Sequence, residues 1–319
     1  MREKSFTLKL GFSCNNNCLS CSQANKARLG DLGTEEVKSL LESGRGDGCS
    51  LLVLTGGEPT TRPDIIEICE FARGLGFKQI VLQTNGRMLC YMGFCRKLVE
   101  AGVNRYMFGI CGPGAELHDF VSQCPGAFDQ AIQGIKNLKE LKQGITVNYI
   151  VNKLNYKGLP DAVELLVSLG VNKALFSFMS CMGNARKNID LLLPRMSEVE
   201  PYIHSALDKA SEAGLAARAC GYPFCFLQDH ELECEELYSP LRTIRDKESL
   251  CLDFDKMSRQ TSKCKASKCG QCRFDFVCGG PEKAYVEKFG WSEFKPVPGR
   301  KVKSASEILK GNKLKQQAL

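Results

Sequence analysis

Apolar and polar positions alternate in two repeating patterns from about Phe6 to Arg218. Short apolar runs typical of buried strands are separated by longer stretches in which apolar residues recur every three or four positions, as in amphipathic helices. In FDQAIQGIKNLKELKQG, for example, Ile132, Ile135 and Leu138 share one helical face. The predicted strands are FTLKLGF (6–12), SLLVLTG (50–56), KQIVLQT (78–84), NRYMFGI (104–110), ITVNYIV (145–151) and NKALFSF (172–178).

Strands that alternate with helices predict βαβ units, a parallel sheet and right-handed crossovers. Six such units predict an α/β fold with an open, partial (β/α)6 barrel rather than a closed eight-stranded one. Reactive residues in parallel α/β folds follow the carboxyl ends of strands. We therefore expect the catalytic and binding residues in the segments that follow the predicted strands.

The pattern changes after residue 220, where helical periodicity fades and cysteines become dense. Many thiols with little apolar periodicity predict a small domain held together by metal. We therefore predict a barrel over 1–219, a cysteine-rich domain over 220–290 and a basic tail over 291–319. The cysteines of the second segment are Cys220, Cys225, Cys234, Cys251, Cys264, Cys269, Cys272 and Cys278.

Composition favours a globular protein with metal or redox chemistry. The chain has 319 residues, 43% hydrophobic and 25% charged, with 18 cysteines and only three histidines. No apolar run approaches the ~20 residues that cross a bilayer, and no signal-peptide pattern follows Met1, so we expect a cytoplasmic protein. Because that compartment is reducing, metal binding by sulfur is a better use of these cysteines than disulfides.

The positive charge is concentrated at the C-terminal end. The formal net charge is +7, and the segment from Lys295 to Leu319 has seven Lys or Arg against one Glu. A basic end of this kind is more often a solvated terminus than a nucleic-acid arm. No aromatic residue follows Phe294 to stack on bases. We therefore expect neither a nucleic-acid partner nor a membrane partner.

Three cysteines lie within the eight residues CNNNCLSC, two residues after the first predicted strand. Structural zinc needs four ligands, and haem attachment needs a histidine where Ser22 follows Cys21. A [4Fe-4S] cluster can be held by three cysteines if an outside ligand takes the last iron. Amides of the three asparagines between Cys14 and Cys18 would suit donation to cluster sulfurs.

CxxxCxxC in this position resembles the radical S-adenosylmethionine (radical SAM) superfamily. The resemblance implies that Cys14, Cys18 and Cys21 bind a [4Fe-4S] cluster whose open iron is chelated by S-adenosylmethionine. It further implies one-electron cleavage to a 5′-deoxyadenosyl radical that abstracts hydrogen from a substrate. A reductant such as ferredoxin or flavodoxin would then be a partner.

Further elements resemble the same family in the expected strand order. TGGEPT (55–60) matches its GGEP element, TNG (84–86) follows the third strand, and MGNA (182–185) resembles a loop that approaches the adenine. The glycines would let backbone approach a ligand closely, and Glu58 would pair with the cationic amine of the cofactor. The cofactor-binding residues implied are Gly56, Gly57, Glu58, Pro59, Thr84, Asn85, Gly183 and Asn184.

Two positions depart from the family pattern. Ser20 stands where the residue before the third cysteine is usually aromatic, and the fourth strand ends in GICG, with Gly109 and Cys111 where a polar residue and Asp-Gly are common. Cys111 would face the open end of the barrel, where it is a speculative catalytic residue that donates a hydrogen atom or contacts substrate. The alternative is a small buried thiol.

The second cysteine group, CGQCRFDFVCGG (269–280), has the spacing CxxCxxxxxC. CxxC also occurs in zinc ribbons. In this context it resembles the SPASM/twitch extensions that hold auxiliary [4Fe-4S] clusters, although Glu282 breaks the further CxxxC of that pattern. One auxiliary cluster is thus expected, two clusters in all. The resemblance makes Cys269, Cys272 and Cys278 ligands, with Cys225 as the fourth and Cys220, Cys234, Cys251 and Cys264 as competitors.

These features predict a radical SAM oxidoreductase or transferase. The SPASM-like segment places a peptide or protein substrate slightly ahead of a small molecule such as a tetrapyrrole precursor, although no leader-binding domain precedes Phe6. RNA modification is a more distant alternative. A non-enzymatic iron–sulfur carrier would account for the cysteines but not for GGEP or TNG.

Overall fold

The computed structural model describes the backbone of residues 3–316 and the side chains of residues 3–310. The described backbone folds into nine strands and twelve α-helices. The strands are β1 (Lys4–Lys9), β2 (Leu51–Thr55), β3 (Gln79–Thr84), β4 (Arg105–Ile110), β5 (Gly144–Val151), β6 (Lys173–Phe178), β7 (Ala216–Cys220), β8 (Leu241–Arg245) and β9 (Leu250–Cys251).

The first nine helices lie between the strands of the first two thirds of the chain, and the last three lie beyond it. They are α1 (Thr34–Gly46), α2 (Ile65–Gly74), α3 (Met92–Glu100), α4 (Ala115–Ser122), α5 (Ala127–Glu140), α6 (Leu159–Ser168), α7 (Gly183–Lys187), α8 (Ile189–Leu192), α9 (Met196–Glu212), α10 (Phe254–Thr261), α11 (Lys283–Phe289) and α12 (Ala305–Gln316). No helix in the described part of the chain is both long and apolar enough to cross a membrane.

All the strands belong to one sheet, in the order β7-β6-β5-β4-β3-β2-β1-β8-β9. The pairs from β7 to β8 are parallel, and β9 is antiparallel to β8. The six predicted strands are present, and the α/β fold with a parallel sheet is confirmed. This sheet is consistent with a partial radical SAM barrel.

The two faces of the sheet differ in burial. Side chains under the helices are fully buried, as Leu8, Leu54 and Phe108 illustrate at 0% exposure. Residues of the opposite, inner face are half-buried in strand after strand. Many of these residues are polar: Lys9, Thr55, Gln83, Asn148 and Ser177. The barrel interior is therefore a polar space that a ligand can enter.

The predicted domain boundary near residue 219 falls inside the sheet. Residue 219 lies in β7, and β8 from the cysteine-rich segment pairs in parallel with β1. Phe274 packs in the same core as the barrel residues. The segment 220–290 is therefore not separate from the barrel, because its strand completes the side of β1 that β2 leaves free.

The basic tail is also packed over part of its length. Val297 and Val302 are 7% and 8% exposed, and backbone hydrogen bonds join both to Arg273 of the cysteine-rich segment. The expectation of a solvated tail is wrong for this stretch, since its two valines are buried against the core. The side chains from residue 311 onward lie outside the described residues.

Candidate iron–sulfur and cofactor site

The three-cysteine loop follows β1 at the carboxyl end of the sheet. Cys14 is exposed, and Cys18 and Cys21 are half-buried. Burial raises the pKa of Cys14 and of Cys18. Glu58 and Cys21 add to the shift of Cys14, and Cys111, Cys14 and Cys21 add to that of Cys18. Thiolates at Cys14 and Cys18 are thus disfavoured by burial and by neighbouring thiols. Iron would offset this effect.

Glu58 links the second and third strands beneath this loop. Its Oε1 accepts hydrogen bonds from the Thr60 backbone N–H (3.0 Å), the Thr60 hydroxyl (2.6 Å) and the Thr84 hydroxyl (2.7 Å). Its Oε2 accepts the Asn85 backbone N–H at 2.6 Å. Burial raises the pKa of Glu58, and these donors partly offset the shift. Thr84 is buried, and its hydroxyl donates to Glu58 Oε1. Glu58 Oε2 accepts one hydrogen bond and can accept another.

Residues after β3 fix the asparagines of the cysteine loop. The Asn85 amide donates to Asn15 Oδ1 at 2.7 Å, and Arg87 donates to the Asn15 carbonyl and to Asn16 Oδ1. The Asn16 backbone N–H in turn donates to Cys14 Sγ at 3.4 Å, as expected for a loop that tunes a cluster. The sequence analysis missed Arg87 because its partner lies on another loop, and no motif marks it.

Gly56 and Gly57 pack closely against the backbone that leads into the cysteine loop. A Cβ on Gly56 would lie 2.2 Å from the Gly11 carbonyl oxygen, and one on Gly57 would lie 2.1 Å from the Ser13 carbonyl oxygen. Their missing side chains thus let β2 pack against the backbone that leads into the cysteine loop, and the expected approach to a ligand stays a prediction. Gly57, Glu58 and Pro59 do line a cleft of about 170 Å³.

Gly183 and Asn184 hold the cysteine loop from the side of β6. Gly183 has a φ of +58°, and a Cβ there would lie 2.5 Å from the Cys21 carbonyl oxygen. Asn184 donates its backbone N–H to the Cys21 carbonyl (2.8 Å) and its side-chain amide to the Cys18 carbonyl (3.2 Å). Sequence analysis associated this loop with the adenine, whereas its contacts here are with the cluster loop.

Cys111 lies behind the cysteine loop, and the two departures from the family pattern meet there. The Ser20 side chain is within hydrogen-bonding reach of the Cys111 thiol, which is 8% exposed. Burial raises the pKa of this thiol to about 12. The Cys111 backbone N–H donates to His118 Nδ1 at 3.2 Å. A catalytic role for Cys111 stays a prediction.

The second cysteine group surrounds a cavity of about 430 Å³ that opens to solvent. Cys225, Cys269, Cys272 and Cys278 all line it, which brings together the four residues chosen from the sequence. The rings of Phe224 and Phe274 stack with centroids 4.7 Å apart and bring the Cys225 turn against the CxxC loop. Burial, with the other three thiols, raises the pKa of Cys225 to about 12.

The donors around these thiols fit an iron–sulfur cluster. The Gly280 N–H donates to Cys278 Sγ at 3.3 Å, and the Val297 N–H donates to Cys272 Sγ at 3.4 Å. Such N–H···S bonds tune cluster potentials. Four thiols that line one cavity would supply the four ligands of a cubane, and the auxiliary cluster stays a prediction.

The four competing cysteines lie outside the lining of this cavity. Cys220 and Cys234 share the carboxylate of Glu236, with the Cys234 thiol 3.3 Å from Oε2. Cys264 faces the Pro281 carbonyl, and Cys251 lies on β9. Three lysines line the cavity beside the four ligand candidates: Lys265, Lys268 and Lys295.

The sequence profile of the radical SAM superfamily matches residues 8–166, which contain the cysteine loop, Glu58 and Asn85. The chain belongs to the radical SAM superfamily. The match ends before Gly183 and before the second cysteine group, so it supports the first cluster site and does not test the auxiliary one.

Two curated relatives are named for tetrapyrrole chemistry. An AdoMet-dependent heme synthase of Methanosarcina barkeri is 31% identical over 220 residues, 68% of this chain and 62% of that protein. An Fe-coproporphyrin III synthase of the same organism is 28% identical over 225 residues, 67% of this chain and 56% of that protein. The chain therefore spans less than two thirds of the length of either relative.

A solved structure confirms the fold over nearly the whole chain. SuiB of Streptococcus suis bound to S-adenosylmethionine superposes with a TM-score of 0.65, covering 94% of this chain and 76% of SuiB at 14% identity. SuiB bound to its precursor peptide SuiA gives a TM-score of 0.62 at 13% identity. At this identity the likeness shows the fold alone.

Proposed function

We propose that this chain is a radical SAM enzyme that abstracts hydrogen from a small tetrapyrrole-type molecule bearing carboxylate groups. The observation that carries the substrate class is the similarity to a heme synthase and an Fe-coproporphyrin III synthase, at 31% and 28% identity. The peptide substrate, slightly ahead in the sequence analysis, is not confirmed. Its support is a structural neighbour at 13% identity.

The donor set suits the cofactors of this family. Cys14, Cys18 and Cys21 would hold a [4Fe-4S] cluster at the carboxyl end of β1. When bound, the cluster and S-adenosylmethionine supply one-electron cleavage and a species that abstracts hydrogen. The role of Asn85 and Asn184 is to fix the loop that carries the three thiols. Gly57, Glu58 and Pro59 line the neighbouring cleft, where Oε2 of Glu58 suits a cationic amine.

We further propose an auxiliary [4Fe-4S] cluster held by Cys225, Cys269, Cys272 and Cys278. Complete ligation by four thiols suits electron transfer or structural support rather than substrate binding. Three lysines and one carboxylate, Asp275, line the cavity, and this excess of positive charge favours negative charge there. A reductant such as ferredoxin or flavodoxin remains the expected electron source.

Anaerobic reconstitution with dithionite tests both the class and the substrate. We expect S-adenosylmethionine to yield 5′-deoxyadenosine, with iron coproporphyrin III increasing the yield and losing hydrogen by mass spectrometry. A variant with Cys14, Cys18 and Cys21 changed to Ala is the control, because it should yield no 5′-deoxyadenosine while keeping the auxiliary cluster. Absence of 5′-deoxyadenosine from the wild type would favour an iron–sulfur carrier. Stimulation by a peptide and not by the tetrapyrrole would contradict the substrate class.

A further inference from the structure

Two lysines share one carboxylate oxygen at the carboxyl end of β1. Lys26 Nζ lies 2.5 Å from Asp246 Oδ2, and Lys9 Nζ lies 3.8 Å from the same oxygen. The other oxygen of Asp246 accepts the Glu248 N–H and both the N–H and the hydroxyl of Ser249. One negative charge therefore faces two positive charges, and the group carries an excess of +1.

This excess charge lies where a ligand of the barrel can reach it. Lys9 is the last residue of β1 and is the register partner of Thr55, an inner-face residue that also lines the GGEP cleft. The Lys9 side chain is 18% exposed and that of Lys26 is 29% exposed. Gln23, two residues after Cys21, accepts from Lys9 Nζ at 2.8 Å. The lysine pair is thus next to both the inner face and the cluster loop.

The positive charge of the Lys9 ammonium is only partly neutralised by its neighbours. Burial lowers the pKa of Lys9, the charge of Lys26 lowers it further, and Asp246 only partly opposes these effects. An anion that entered beside Lys9 would restore the balance and gain a charge-assisted hydrogen bond in a partly desolvated place.

We propose that Lys9 and Lys26 form a carboxylate-binding subsite for a ligand of the barrel. The inference rests on the proposed function, which supplies two sources of that carboxylate: a side chain of the tetrapyrrole substrate and the carboxylate of S-adenosylmethionine. Asp246 acts as the resident counterion that keeps both lysines in place. Lys9, the lysine further from that counterion, contacts the incoming carboxylate.

The test is an anaerobic titration of the reconstituted full chain with metal-free coproporphyrin III, followed by fluorescence quenching. We expect Lys9→Met to weaken binding of this tetra-acid by at least about ten-fold, the loss typical of one hydrogen bond to a charged group. Binding of the tetramethyl ester should not change. Asp246→Asn should tighten binding of the tetra-acid, because it removes the competing carboxylate. A merely structural role would not produce opposite signs in the two variants.

Lys247→Met is the matched control, because it removes an equal charge from the β8–β9 hairpin that carries Asp246. Lys247 Nζ donates to the carbonyls of Leu29 and Asp31 instead of Asp246. Iron content and circular dichroism confirm that each variant is folded and loaded. Equilibrium dialysis with S-adenosylmethionine forms the second arm.

Each outcome decides between the two sources or overturns the subsite. Weaker tetra-acid binding by Lys9→Met assigns the substrate carboxylate, and weaker S-adenosylmethionine binding assigns the cofactor carboxylate. Unchanged affinity for both ligands would overturn the subsite. A wild-type chain that binds neither the tetra-acid nor its ester would instead refute the proposed substrate class, and the dialysis arm alone would then decide the subsite.

Discussion

Asn184 donates its backbone N–H to the carbonyl of Cys21 at 2.8 Å, so the loop after β6 is fastened directly to the loop after β1. Asn85 and Arg87 hold the same loop from the end of β3. The three thiols are thereby positioned by parts of the chain that are far apart in sequence. Placement of a cluster on these thiols would depend on the sheet that brings the three loops together.

Gly183→Ala should impair cluster loading more than it impairs folding. The new Cβ would meet the Cys21 carbonyl oxygen at 2.5 Å and displace the cluster loop. Gly214→Ala is the control, because Gly214 has a similar φ of +70° with nothing within 4 Å of its Cβ. Both variants should lose about 1–2 kcal/mol of stability from left-handed strain. Only Gly183→Ala should lose iron–sulfur absorbance, down to the part that the auxiliary cluster contributes, and equal loading of the two variants would contradict this role.

Cys225→Ala should remove the auxiliary cluster and leave the first one. The wild type should bind about eight irons per chain, corresponding to two cubanes, and the variant about four. Cys264→Ala and Cys220→Ala should keep about eight, because neither thiol lines the cavity. Iron and zinc analysis of the anaerobic proteins provides the measurement. Four irons with one zinc in the wild type would show that the second group is a zinc site.

The chain should become less stable as the pH falls, over a pH range set by the pKa of His118. Burial lowers the pKa of His118 to about 4, although the charge of Asp119 opposes the shift. The unfolded state, with an ordinary pKa near ~6.5, binds the proton first, so stability is lost as pH falls from ~6.5 toward 4. The slope from this group is at most about 1.4 kcal/mol per pH unit.

His118→Asn provides the comparison, since its amide oxygen can still accept the Cys111 N–H. Urea unfolding at several pH values should give a shallower slope for the variant. Identical slopes for the two proteins would assign the pH dependence to other groups.

Cys111→Ala should load the first cluster and yield 5′-deoxyadenosine, because Cys111 is not among the three thiols of the loop. If the thiol donates a hydrogen atom, product formation stops while 5′-deoxyadenosine continues. Unchanged product formation would leave Cys111 as a packing residue beside Ser20. Chromatography of both compounds from one reaction makes the comparison.

Local pattern was enough to predict most of the barrel. The six predicted strands each overlap an observed strand, because apolar runs such as QIVLQT are long and bounded by polar turns. β7 was missed because its sequence, AARAC, has alanines in place of β-branched residues. β8 was missed because LRTIR is short and has two arginines. Only its pairing with β1 makes it a strand.

The candidate site was predictable where residues follow strands and not where loops meet. Cys14 drew attention because it follows the carboxyl end of the first strand, and Glu58 and Asn85 because GGEP and TNG resemble motifs of the family. Arg87 and Gln23 were not identified, since their partners come from other segments. The packing of Gly57 against the Ser13 carbonyl was not foreseen for the same reason. A glycine pair in a sequence indicates that another group packs closely against the backbone there, but it does not identify that group.

The pairing of β8 with β1 has a consequence for any attempt to isolate the barrel. β1 leads directly into the cluster loop, and β8 covers the flank that β2 does not. A fragment that stops after β7 would leave the N–H and C=O groups of that flank without partners, which is the arrangement that recruits foreign strands. Such a fragment would be prone to self-association through the very strand that positions Cys14. The C-terminal third thus protects the strand that leads to Cys14, in addition to supplying the proposed second cluster site.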